Sequence, residues 1–117
     1  RREVTITGFD RSAAGAEGQL ARDLERATGG TITMRIIFPS TYPTLPPYLR
    51  VIRPRFQLRT GHVLIGGSIC FEALTTVGWT PAMTVESVLV TVKNNMIEGN
   101  GRINMSNRSD YSPAEAK

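Results

Sequence analysis

The only histidine, cysteine and tryptophan of this chain, His62, Cys70 and Trp79, fall within 18 residues. Cysteine chemistry needs an accessible sulfur that reaches the thiolate state. Gly66 and Gly67, just before Cys70, let another backbone approach closely. Ile69 and Phe71 favour the opposite reading, since a free thiol in apolar company packs as a small, inert hydrophobe. On residue types alone both readings stay open. Metal and disulfide chemistry are closed: one cysteine makes no internal disulfide, and with one histidine it cannot complete an ordinary four-ligand zinc site. No cofactor is expected, and a reducing compartment is the expected setting.

Any chemistry at Cys70 requires elements to position it. Val4 and Ile6 alternate with Thr5 and Thr7, which predicts a half-buried strand over Glu3 to Phe9. The stretch from Asp10 to Gly18, rich in Ala, Gly and Ser, predicts a loop. Leu20, Leu24 and Ala27 recur at helical spacing, predicting a helix from Gln19 to Thr28 that Gly29-Gly30 ends. Ile32, Met34, Ile36 and Phe38 share one face of a second strand, Thr31 to Phe38. Pro39, Pro43, Pro46 and Pro47 then make a rigid connector. Tyr48 to Arg53 is a third strand, stopped by Pro54, and Arg55 to Cys70 is irregular. Val85, Val88, Leu89, Val92 and Met96 line one face of a helix over Val85 to Ile97, with Thr84 as N-cap and Glu86 in the first turn. Ser112-Pro113 opens a further helical turn near Lys117.

At 117 residues and 12.8 kDa the whole chain, 1–117, is one domain that buries roughly 65% of its unfolded surface without staples. No apolar run approaches the length of about 20 residues that spans a membrane, so no membrane partner is expected. No signal peptide is visible, and without an initiator Met the sequence is expected to be a piece of something longer. Twelve arginines against two lysines carry most of the positive charge, and Arg50, Arg53, Arg55 and Arg59 fall within ten residues. That row has the form of a phosphate-binding stripe. Only Phe56 interleaves it as an aromatic, and charge runs are mostly solvated faces, so nucleic-acid binding is not expected.

FPSTYPTLPP, GGSIC and WTPAMTVESVL occur in that order, and together they resemble the ubiquitin-conjugating enzyme family over about residues 31 to 97. Two departures, Thr60-Gly61-His62 in place of His-Pro-Asn and a longer interval from Cys70 to Trp79, are similar to the family's Q-type subgroup. The resemblance implies an α+β fold, an antiparallel β-meander with flanking helices whose terminal helices are missing or truncated, and a cis bond at Tyr42–Pro43. It implies that Cys70 accepts ubiquitin or a ubiquitin-like protein from an activating enzyme as a thioester. Transfer to a lysine amine, with a ubiquitin ligase, follows. His62 stands where the family has the asparagine assigned to oxyanion or loop support; its alternative is a solvent-exposed loop histidine. Glu72 and Ser68 flank the cysteine near the expected path of the ubiquitin tail, and Glu72 also reads as a surface carboxylate. Thr44, Leu45, Pro81 and Ala82 are the ligase-facing positions, Thr44 replacing a frequent phenylalanine. A cytoplasmic or nuclear location is implied. The alternative function is a non-catalytic module on the same fold that binds ubiquitin or a partner; such variants usually lack the cysteine.

Overall fold

Alternation of apolar and polar residues puts one face of each strand inward, and the register of the sheet follows from it. A computed structural model of the chain describes residues 2–69 and 78–116. Strand β1 (Arg2–Ile6) pairs antiparallel with β2 (Ile32–Ile37), which pairs antiparallel with β3 (Tyr48–Arg53), giving the expected meander β1-β2-β3. Val4 faces Met34 and Ile6 faces Ile32 on the core side, while Glu3 faces Arg35 on the other and accepts its guanidinium at 2.7 Å. Met34 and Ile36 continue onto Val51 and Leu49, with a bulge at Thr33/Met34.

Helices α1 (Gly15–Thr28) and α2 (Val85–Glu98) supply Leu20 and Leu24, and Val88, Val92 and Met96, to the same core. The Thr84 hydroxyl caps α2 as its sequence predicts, accepting from the Ser87 N–H at 3.1 Å. Helix α1 begins four residues earlier than the sequence predicts. Its glycines read as loop, yet Gly18 is buried where a Cβ would overlap the Ala13 carbonyl oxygen, so packing selects the residue there. β1 is shorter than predicted because Gly8, at φ 83°, turns the chain off the sheet before Phe9. Among the described residues no helix is long and apolar enough to cross a membrane.

One buried polar group ties α1 to the chain beyond α2. Asp23 is 7% exposed and accepts from Arg102 Nε at 2.7 Å and from the Ile103 N–H at 3.1 Å. Burial alone would raise its carboxyl, but the Arg102 guanidinium and the Ile103 N–H outweigh it and hold the pKa below the ordinary value. A depressed carboxyl stabilises the fold above its unfolded pKa, about 4, and that stability is lost as pH falls through the lower folded value. Asp23→Ala should therefore cost about 2 kcal/mol at neutral pH, read as a lower urea midpoint. Asp23→Asn, which keeps an acceptor for Ile103, should cost less, and in both variants the acid-side loss of stability should flatten.

Candidate functional site

The chain that leads into Cys70 is a tight hairpin laid against the outer edge of β3. Val63 bridges Ile69 in antiparallel register, and the Leu64 N–H donates to Ser68 O at 2.8 Å. The far strand also pairs with β3: Arg50 bridges Ser68, and the Ile69 N–H donates to Leu49 O at 3.2 Å. Gly66 and Gly67 make the turn at φ 86° and 92°, in the left-handed region that side chains avoid. Gly67 has a second reason to lack a side chain. A Cβ there would stand 2.6 Å from Val51 O and 2.8 Å from the Tyr111 ring.

Ser68 lies in this hairpin, half-buried, its hydroxyl 2.5 Å from that of Tyr48. His62 lies in the turn just before Val63, the residue that pairs with Ile69. It is exposed, takes a left-handed backbone at φ 58°, and its imidazole makes no hydrogen bond to a described residue. The segment beneath it is pinned. Gly61 N–H donates to Gly99 O at 2.9 Å, and the Thr60 hydroxyl donates to Gln57 O at 2.8 Å while accepting from the Arg102 N–H at 3.1 Å. Thus Thr60 and Gly61 fasten the loop to the end of α2, and His62 stands on that platform. Cys70 and Glu72 lie outside the described residues.

The expected ligase-facing positions are on two loops that one side chain joins. Trp79 is buried and its Nε1–H donates to Pro43 O at 2.7 Å; its ring centroid lies 6.1 Å from that of Tyr42. The Tyr42–Pro43 bond is cis as expected, and Arg53–Pro54 is cis as well. Thr44, Leu45, Pro81 and Ala82 are all exposed on the two loops so tied.

The arginine row has other work. Arg50 is 4% exposed and donates to Tyr111 O at 3.2 Å. Arg53 forks onto Asp110 at 3.1 and 3.0 Å, and Arg55 onto Glu115 at 2.7 and 3.0 Å. The Arg55 guanidinium and the Ser112 N–H pull the Glu115 carboxyl down to about 2. Only Arg59 of the four has no described partner. Sequence reasoning missed Tyr48 and Tyr111 as supports of the hairpin, because their partners are 20 and more residues away along the chain.

An antiparallel meander, helices covering its inner face, a proline connector and a hairpin entering a cysteine define an α+β domain of conjugating-enzyme type. The family described as ubiquitin-conjugating enzyme matches residues 28–110, and the chain belongs to it. The relatives it matches include members of the Q-type subgroup. It is 40% identical over 84 residues to the Q-like protein 1 of the ubiquitin-conjugating enzymes of Homo sapiens, covering 72% of this chain and 51% of that protein. To a Q-like ubiquitin-conjugating enzyme protein of Drosophila melanogaster it is 38% identical, covering 74% of this chain and 28% of the relative. To ubiquitin-conjugating enzyme E2 Q1 of Homo sapiens it is 35% identical, covering 80% and 22%. The chain thus spans about half, or less, of the length of these curated relatives.

The glycine turn yields a test of the hairpin. Gly67→Ala meets a backbone oxygen and an aromatic ring from a left-handed φ, so it should lower stability by about 2 kcal/mol or more. Gly29→Ala, at φ 75° with open space around it, should cost only the backbone penalty, about 1 kcal/mol. Urea melts of the two variants compare them directly; equal costs would mean that the contact with Val51 and Tyr111 is not made.

Proposed function

We propose that this domain carries ubiquitin as a thioester on Cys70 and hands it to an amine. The observation that supports this best is the hairpin register. Val63 and Ile69 are paired, His62 precedes one, and Cys70 follows the other. The sole imidazole and the sole thiol are thus each one residue along the chain from that pair. In the proposed cycle the Cys70 thiolate attacks the carbonyl carbon of ubiquitin's thioester on the activating enzyme. The new carbon–sulfur bond forms as the activating enzyme's thiolate leaves. A lysine amine then attacks the same carbon, the amide bond forms, the Cys70 thiolate departs, and the amine's proton passes to solvent or a base. His62 supplies an N–H donor to the oxyanion or to the loop beside it. Glu72 and Ser68 border the path of the ubiquitin tail, and Thr44, Leu45, Pro81 and Ala82 present the ligase-facing surface. The names of these relatives favour ubiquitin as the modifier. Work with an activating enzyme and ligase goes with a cytoplasmic or nuclear location.

Mixing the protein with activating enzyme, ATP and ubiquitin should give an adduct cleaved by added thiol. Cys70→Ser should give a thiol-resistant oxygen ester and Cys70→Ala none; an adduct persisting in Cys70→Ala overturns the assignment. Single-turnover discharge of the thioester onto free lysine tests His62. His62→Ala should slow it by roughly 10²-fold at saturating lysine, the size of a lost oxyanion donor. His62→Asn, which restores an N–H, should retain more activity. Equal rates in all three proteins would make His62 a loop residue only.

A further inference from the structure

Tyr111 is far from Cys70 in sequence, yet it backs the turn that leads to it. It is 7% exposed, and all its polar groups are used. Its N–H donates to Ile52 O at 2.8 Å, its carbonyl accepts from Arg50 at 3.2 Å, and its hydroxyl accepts from the Phe56 N–H at 2.9 Å. The ring lies so close to Gly67 that a Cβ would stand 2.8 Å from it, and Arg55 lies against it, Cζ 4.8 Å from the centroid. Ion pairs on both sides, Arg53–Asp110 and Arg55–Glu115, strap the segment across β3 and the chain that follows it.

We propose that Tyr111 is a positioning residue for the Ser68–Ile69 strand that leads into Cys70. Its ring is the wall against which the Gly66–Gly67 turn is set, and its hydroxyl fixes that wall to Phe56. The Ser68–Ile69 strand is held edgewise by Leu49 and Tyr48 on one side and by Val63 and Leu64 on the other. The Gly67 N–H donates to Leu64 O at 2.9 Å, inside the hairpin, and outside it the turn meets Val51 O and the ring. Without the ring the turn can shift toward the vacated space, and Ser68–Ile69 shift with it. Misplacement on the order of 1 Å costs reactions of this kind about 10²-fold. The proposal rests on the thioester reading above, so its test includes a readout that does not need ubiquitin.

Two kinds of variant separate ring from strap: Tyr111→Phe and Tyr111→Leu change the residue, and the double substitution Asp110→Asn with Glu115→Gln loosens the strap at the surface. Each is measured for single-turnover discharge onto lysine over a range of lysine concentrations, and for the rate of Cys70 alkylation by iodoacetamide against pH. Gly29→Ala, at the end of α1 with open space around it, serves as a control destabilised elsewhere. Tyr111→Leu should lower the saturating discharge rate roughly tenfold to a hundredfold, with the half-saturating lysine concentration little changed, and should alter the alkylation profile. Tyr111→Phe, keeping the ring, should fall severalfold less, and the strap variant should move in the same direction as Tyr111→Leu. The control should discharge and alkylate like wild type. Wild-type discharge and alkylation in folded Tyr111→Leu overturn the proposal. Should that variant not fold, wild-type behaviour of the strap variant overturns it. If the wild-type protein forms no thioester, the functional reading fails, and the alkylation profiles alone decide the role of Tyr111.

Discussion

Strand β3 is covered on both faces and paired along both edges, and the remaining features depend on that. Leu49 and Val51 point into the core, while Arg50 and Ile52 point the other way, and all four are buried. An arginine in such a place is costly unless its donors find acceptors, since removing a guanidinium from water costs several kcal/mol. Across the ladder it faces Arg35, a like charge, which Glu3 takes up. Among the described residues no carboxylate pairs with Arg50; the Tyr111 carbonyl receives it. The outer face of β3 is therefore complete only when the Asp110–Glu115 segment lies over it. That segment stays because Arg53 and Arg55, on the chain it covers, hold its two carboxylates.

The hairpin from Val63 to Ile69 inherits this arrangement. It borrows its outer edge from β3 and its backing from Tyr111, and its near strand is fastened to the end of α2. Arg59 and His62 hold positive φ angles, each a conformation that costs roughly 1–2 kcal/mol for a residue with a Cβ. Such angles persist only where surrounding bonds over-determine them. Thr60 and Gly61, hydrogen-bonded to Gln57, Gly99 and Arg102, supply that constraint. The imidazole is thus exposed on a backbone that is fixed beneath it.

Much of this was legible in the sequence wherever local pattern governs. The three strands follow from period-two alternation, α2 from its stripe and Thr84 cap, and the meander from the resemblance of three ordered motifs. What failed locally failed for tertiary reasons. Gly15 and Gly18 look like loop residues, but Gly18 is a helical position where neighbouring backbone leaves no room for a side chain. The candidate site was legible as the segment holding His62 and Ser68, one just before the hairpin and the other in it. Its supports were not. Asp23 and Arg102 are 79 residues apart, and Phe56 and Tyr111 are 55 apart, so no spacing rule links them.

The basic row shows how a charge pattern changes meaning on folding. Read alone, four arginines in ten residues suggest an anion site, because the sequence does not say where its carboxylates will lie. Arg53 and Arg55 are two residues apart, and Asp110 and Glu115 come from a segment that crosses them about 55 to 60 residues later. Once these pairs form, the guanidiniums that would have met phosphate meet carboxylates, and Arg50 is sealed under Tyr111. The Glu115 carboxyl at about 2 means that this neutralisation holds throughout the physiological range. Carboxylates depressed in this way stabilise the docked segment above their ordinary pKa, and acid must reach the folded value to release it. Arg50, Arg53 and Arg55 are thus engaged within the fold, by the same segment that backs the hairpin.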